Sequence, residues 1–241
     1  MQINWFIALC ILFFSCQTKH NQETTNDVTI SENASIQPLD TVTKQEKEEP
    51  KPQDKNLADT SFVNIKDYSD HFAYDMRYAT DNNFLKEKVY DCDHCLMRYE
   101  VAKALIKAND SLNQLGYKIK FFDCFRPVDV QMKMWEIYPD ARYVANPHKT
   151  GSVHNKGAAL DITLVELNNT EVDMGTDFDH FGKEAHHTYE ALPDKVLNNR
   201  KVLKSVMQAF GFNPIRTEWW HYNFGKNSSY KISDYPLCDE G

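Results

Sequence analysis

Hydrophobic positions divide the chain into unlike zones. Ile3 to Phe14 is a short apolar run broken only by Asn4, whereas Gln17 to about Thr60 is built of Thr, Ser, Asn, Gln, Glu, Lys and Pro with almost no aromatic residues. From Ser61 onward the pattern becomes periodic, and a folded domain is expected over 61–241. Phe62-Val63-Asn64-Ile65 and Tyr74-Asp75-Met76-Arg77-Tyr78 read as short strands. Between Arg98 and Leu115, Val101, Leu105, Ala108, Leu112 and Leu115 recur at helical spacing, and Gly116 supplies a stop. Lys118 to Asp123 follows as a strand, and Pro127 suits the first turn of a helix on which Val130, Met134 and Ile137 share a face. In Ala159–Leu164, Leu160, Ile162 and Leu164 alternate with Asp161 and Thr163, which predicts a strand with one apolar face and Asp161 on the other. Asp194 to Phe210 reads as an amphipathic helix between Pro193 and Gly211, and Glu218 to Phe224 as an aromatic strand. Strands and helices are interspersed without a regular βαβ repeat, so the expected class is α+β.

Charge and composition exclude more than they assign. A net charge of −8 gives no basic patch of the kind that binds nucleic acid, and no basic surface for a membrane. The segment 17–60 is too poor in apolar residues to offset the entropy of ordering it, and its Pro-containing charged run from Lys44 to Lys55 reads as an extended tether. The apolar run before it falls short of the roughly 20 residues that span a bilayer as a helix, and reads as an export signal. Cys16 directly after Ser15 suggests a bacterial lipoprotein with residues 1–16 as its signal, acylated at Cys16 and anchored in the cell envelope. Two features depart from that pattern: no Lys or Arg precedes the run, and Phe13 and Phe14 are bulky for a cleavage site. The plainer alternative is a signal peptide with an incidental cysteine.

Candidate chemistry concentrates in Ser152-Val153-His154-Asn155-Lys156-Gly157-Ala158-Ala159-Leu160-Asp161 and in Glu218-Trp219-Trp220-His221. Two imidazoles and one carboxylate are the usual ligand set of a catalytic zinc, with a further position left for water. Gly157 argues against a helix between His154 and Asp161, so a loop imidazole and a strand carboxylate would converge, with His221 as third ligand. Glu218, left over, is within reach of a water activated there and suits a general base. Three residues apart on a regular strand, Glu218 and His221 would face opposite ways, which implies a bend at Thr217–Glu218. Arg126, in Asp123-Cys124-Phe125-Arg126-Pro127, is a candidate to stabilise an oxyanion.

Ser-x-His-x-x-Gly-x-Ala-x-Asp followed by Glu-x-x-His resembles the zinc DD-peptidases, whose fold is shared with the hedgehog signalling domain. Glu-Trp-Trp-His with Asp-Cys-Phe-Arg-Pro upstream is similar to the VanX-type D-alanyl-D-alanine dipeptidases, over about Phe62 to Tyr235. The resemblance implies a central, mainly antiparallel sheet flanked by helices, and one zinc per chain on His154, Asp161 and His221. It further implies Glu218 as base, Arg126 at the oxyanion and a small dipeptide, D-alanyl-D-alanine, as substrate. By the same match Asp179 binds the substrate's free amino group, with Asp177 as the nearby alternative, and Ser152 contacts substrate. A carboxypeptidase or endopeptidase acting on peptidoglycan stems, and a zinc-stabilised binding module, are the competing readings. Trp220 and Asp179 favour the dipeptidase over the first, and Glu218 with Arg126 disfavours the second.

Cys92, Cys95, Cys124 and Cys238 make an even set, which in an exported protein suggests disulfides with three possible connectivities. Cys92-x-x-Cys95 reads alternatively as half of a structural zinc site. A bridge from Cys124 to the Cys92–Cys95 segment would brace the loop that carries Arg126. For the anchor the expected outcome is concrete: the mature protein partitions with membranes and Cys16→Ser releases it, and a variant that stays membrane-bound excludes lipidation.

Overall fold

The computed structural model describes residues 56–238. The apolar run, Cys16 and most of the polar stretch lie outside the described residues. The described residues form an α+β domain whose main sheet has five strands in the order β2-β4-β5-β7-β6. These are β2 (Ala73–Tyr74), β4 (Tyr117–Asp123), β5 (Ala159–Glu166), β6 (Phe212–Ile215) and β7 (Glu218–Phe224). Only the β2–β4 pair is parallel, so the sheet is mainly antiparallel as expected. A separate antiparallel pair joins β1 (Phe62–Asn64) to β3 (Leu96–Arg98). The helices are α1 (Tyr99–Asn113), α2 (Val128–Ile137) and α3 (Asp194–Ala209).

Several elements match the periodicity and others depart from it for identifiable reasons. In α1 the buried residues Val101, Leu105, Ala108 and Leu112 form the stripe expected, but Leu115 lies beyond the helix end and is 55% exposed. Asn109, buried in the same stripe, accepts from Ile119 N and donates to the His71 carbonyl, both at 2.8 Å, which fixes where β4 starts against the helix. Residues 57–60, placed in the tether by composition, belong to the fold. The Asp59 carbonyl accepts from Glu100 N and the Ser61 carbonyl from Tyr99 N, supplying acceptors that the first turn of α1 lacks internally.

The expected strand at Tyr74–Tyr78 ends at Tyr74, and Arg77–Ala79 is a 3-10 turn. There the Tyr78 carbonyl accepts from both Val89 N and Tyr90 N, so a loop takes the acceptor that a ladder would use. Strand β5 is buried on both faces, not one. Leu160, Ile162 and Leu164 belong to the hydrophobic core on one face, while on the other Asp161 and Thr163 are also buried, 4% and 3% exposed.

Cys95 bridges Cys124, and Cys92 bridges Cys238. The first bond is the expected brace two residues from Arg126, and the pairing removes Cys92 and Cys95 as zinc ligands. Gly157 ends the His154–Lys156 3-10 turn with φ +69°, and a Cβ there would sit 2.4 Å from the Phe62 ring. Gly157→Ala is therefore expected to lower stability by about 1–3 kcal/mol for the left-handed backbone alone. The check is a fall in Tm relative to the parent chain, and an unchanged Tm contradicts the assigned strain.

Candidate metal centre and active site

A one-residue irregularity in the sheet creates the site. Phe121 pairs with Ile162, but the next pair is Asp123 with Asp161, so Phe122 is extra on β4. Without that bulge Phe122 would stand opposite Asp161 and Asp123 would be carried past it. On the other side Asp161 pairs with His221 of β7. Asp123, Asp161 and His221 thus form a row across the three central strands, and residues paired across strands share a face.

His154 comes to this row from the 3-10 turn. Its Nε2 lies 3.2 Å from His221 Nδ1 and 3.4 Å from Asp161 Oδ2, and His221 Nδ1 lies 2.9 Å from Asp161 Oδ1. The outer ring nitrogens are held as donors. His154 Nδ1 donates to the Cys124 carbonyl at 2.7 Å, and His221 Nε2 donates to Asn223 Oδ1 at 3.0 Å. Lone pairs of His154 Nε2 and His221 Nδ1 are consequently directed at each other and at a carboxylate. Such a buried trio demands positive charge at its centre. Two neutral imidazoles and one carboxylate, with all three donor atoms within 4.8 Å of one another, fit a divalent cation of the zinc type. The same demand appears as proton affinity: burial lowers the His221 pKa, but its hydrogen bond to Asp161 and that carboxylate's charge raise it to about 9.

Arg126 and Asp123 form the other charged pair. Arg126 is 7% exposed and Asp123 fully buried. Arg126 Nε and Nη2 donate to Asp123 Oδ2 at 3.1 and 2.5 Å, and Nη1 donates to Gln131 Oε1 at 2.9 Å. The guanidinium lies 5.2 Å from the Tyr78 ring centre. Asp123 Oδ1 accepts from the Tyr90 hydroxyl at 2.6 Å and from Cys124 N at 2.9 Å, so both of its oxygens are occupied. Five guanidinium N–H groups less three in use leave donors on Nη1 and Nη2 for a ligand.

All the residues picked from sequence line one cavity of about 210 Å³: Arg126, Ser152, His154, Asp161, Asp179, Glu218 and His221. A larger cavity of about 790 Å³, between Phe62 and Leu237, contains none of them. Glu218 reaches the cavity because the chain turns at Arg216–Thr217 and the β6–β7 register then slips, with Ile215 facing Glu218 but Pro214 facing Tyr222. The break thus extends into β7, past the bend expected at Thr217–Glu218. Burial raises the Glu218 pKa, and the Asp161 charge adds to this against the opposing effects of His221, His154 and Arg126.

Between the two candidate carboxylates the structure separates roles. Asp177 pairs with Arg77 at 3.2 Å and its side chain is 71% exposed, away from the cavity. Asp179 lines the cavity and accepts from the Tyr78 hydroxyl at 3.1 Å. Its backbone is left-handed, φ 60°, a conformation that costs about 1–3 kcal/mol in a non-glycine residue and persists where packing enforces it. That packing is Phe178, whose ring stacks on Phe122 at 4.8 Å and meets Trp220 edge-on at 5.6 Å. Burial, then the Asp161 charge, raise the Asp179 pKa well above its ordinary value. The Ser152 hydroxyl accepts from His154 N at 3.2 Å, so this cavity residue also shapes the turn. His186 and His187 stay outside the cavity lining.

A family model described as D-ala-D-ala dipeptidase matches residues 58–236. The chain belongs to this family. Among its relatives, the D-alanyl-D-alanine dipeptidase of Escherichia coli is 28% identical over 173 residues, covering 72% of this chain and 89% of the relative. The enzyme of the same name from Enterococcus faecalis is 30% identical over 187 residues, 69% of this chain and 88% of that one. A solved vancomycin-resistance D,D-dipeptidase, VanXYg with a D-Ala-D-Ala phosphinate analogue, is 16% identical with a TM-score of 0.36, covering 56% of this chain and 53% of that one.

Sequence reasoning missed the supports of this dipeptidase-family site: Asp123, Gln131, Tyr78 and Tyr90. Asp123 stood within the quoted Asp-Cys-Phe-Arg-Pro stretch, and a carboxylate three residues before a candidate catalytic arginine was the available signal. Removing one partner of a buried ion pair typically costs about 3–5 kcal/mol. Asp123→Ala is accordingly expected to destabilise the domain on that scale, whereas Asp93→Ala, which breaks the more exposed pair with Lys66, should leave it nearly unchanged. Urea unfolding of both variants checks this, and similar midpoints would contradict the assignment.

Proposed function

We propose that the chain hydrolyses D-alanyl-D-alanine to two D-alanines, with His154, Asp161 and His221 holding one zinc ion. The supporting observation is the meeting of three metal-type donors with Glu218, Arg126 and Asp179 in one small cavity of a dipeptidase-family chain. Zinc bound there supplies Lewis acidity to a water and to the scissile carbonyl. Glu218 accepts the proton of the attacking water and delivers it to the leaving amine, and its raised pKa suits both transfers. Arg126, already oriented by Asp123 and Gln131, presents its remaining N–H groups to the oxygen on which negative charge develops. Preorganisation of this kind favours the transition state over the ground state.

Asp179 accepts the substrate's ammonium group. A longer peptide has no ammonium at that point and would leave the half-buried carboxyl group with the Tyr78 hydroxyl but no cation, so the site selects dipeptides. Ser152 supplies a further polar contact. In the envelope, a lipid anchor at Cys16 and the polar stretch that follows it would hold the enzyme where wall-derived dipeptide is released, which fits turnover or salvage.

Purified protein is expected to hydrolyse D-Ala-D-Ala, to lose activity on chelation and to regain it with zinc. Glu218→Ala should lower kcat by about 100- to 10,000-fold while keeping its metal. Stronger hydrolysis of a pentapeptide stem than of the free dipeptide would contradict the substrate, and loss of zinc in Glu218→Ala would contradict the role of that residue.

A further inference from the structure

A zwitterionic dipeptide needs a cation for its carboxylate as well as an anion for its ammonium. The cavity is rich in carboxyl groups, Asp161, Asp179 and Glu218, and its buried arginine is engaged with Asp123 and Gln131. One other lining residue carries a permanent positive charge: Arg142. We infer that Arg142 is the anchor for the free carboxylate of the dipeptide, a specificity role that rests on the reading above.

The geometry of the guanidinium carries this. Arg142 Nε lies 2.9 and 3.0 Å from Asp140 Oδ1 and Oδ2, and Nη2 donates to Oδ2. Asp140 thus occupies the Nε–Nη2 edge. The Nη1–Nη2 edge has no partner among the described residues, and that edge is a second planar fork matched to a carboxylate. At 75% side-chain exposure the guanidinium remains solvated, so this fork is open to an incoming ligand.

Arg142 is not on a loose loop. Arg142 N donates to Asp140 Oδ1, and Tyr143 N and Val144 N both donate to the Asp140 carbonyl, which folds 140–144 into a tight turn. Tyr138 and Tyr143, flanking the turn, join Phe84 and Phe181 in a closed circuit of rings. The successive centroid distances are 5.8 Å from Tyr138 to Tyr143, 4.5 Å to Phe181, 5.1 Å to Phe84 and 5.7 Å back to Tyr138. The Ala145 carbonyl accepts from Gln131 Nε2 at 2.8 Å, and the same Gln131 receives Arg126 Nη1. The turn that carries Arg142 is therefore tied through one glutamine to the arginine at the reacting carbonyl. Asp179 lines the same cavity, so its carboxyl group, ionised on pairing with an ammonium, and the Arg142 guanidinium offer partners for the two ends of one short zwitterion.

The test compares D-Ala-D-Ala with its C-terminal amide, which keeps the ammonium and the scissile bond but lacks the carboxylate charge. With the parent chain the amide should show a KM about 10- to 100-fold higher than the acid, the scale of a lost charge-assisted hydrogen-bond pair. Arg142→Gln should raise the KM of the acid by a similar factor, leave its kcat within a few-fold, and abolish the difference between acid and amide. Arg142→Lys should recover part of the discrimination, as a point charge without a fork. Equal KM values for acid and amide in the parent chain, or an acid KM unmoved by Arg142→Gln, would overturn the role of Arg142 while leaving the dipeptidase reading intact. A parent chain inactive on both substrates would instead overturn that reading, and the anchor with it.

Discussion

Two carboxylates face each other across neighbouring strands in the middle of this sheet, and everything around the site answers that fact. Asp123 and Asp161 are paired in register and both are buried. Like charges opposite one another on a sheet are destabilising, and a buried anion without a partner costs more still. Each carboxylate therefore has its own cationic partner on its own side. Asp123 has Arg126, with Tyr90 and Cys124 N on its second oxygen. Asp161 has the two imidazoles, and through them a place for a metal ion.

This arrangement explains why features far from the reacting atoms matter. The Cys95–Cys124 bond fixes the carbonyl that accepts from His154 Nδ1, and so fixes which ring nitrogen of His154 faces Asp161. The Arg126 peptide is held at both ends, its N–H on the His154 carbonyl at 3.2 Å and its own carbonyl on Asn155 Nδ2 at 2.7 Å. Arg126 and His154 are consequently parts of one rigid unit. Gly157 lets the chain leave that unit beneath Phe62 and enter β5 in the register that presents Asp161.

Much of this was legible in the sequence. The long helices and strands at 118–123, 159–164 and 218–224 followed from period and punctuation, and the ligand trio from residue type and spacing. What escaped were properties of register and of tertiary packing. A bulge at Phe122 leaves no mark in an apolar run, so Asp123 read as the end of a strand and not as half of an ion pair. Asp179 was preferred to Asp177 only by resemblance, and the physical reason for the choice is Phe178 inserting between Phe122 and Trp220. Arg142 sits in a stretch without periodicity, and its position is fixed by the Asp140 turn and the aromatic rings that flank it. Tyr74–Tyr78 looked like a strand because its composition is right for one, and its fate was decided by the loop that takes the Tyr78 carbonyl.

The central claim is that His154, Asp161 and His221 bind one divalent cation as a unit. Zinc-edge X-ray absorption on the purified protein tests it most directly. The account predicts one zinc per chain in a shell of nitrogen and oxygen only, with scattering from two imidazoles that falls to one in His221→Ala. Sulfur in the shell, or a spectrum unchanged by that substitution, would contradict it.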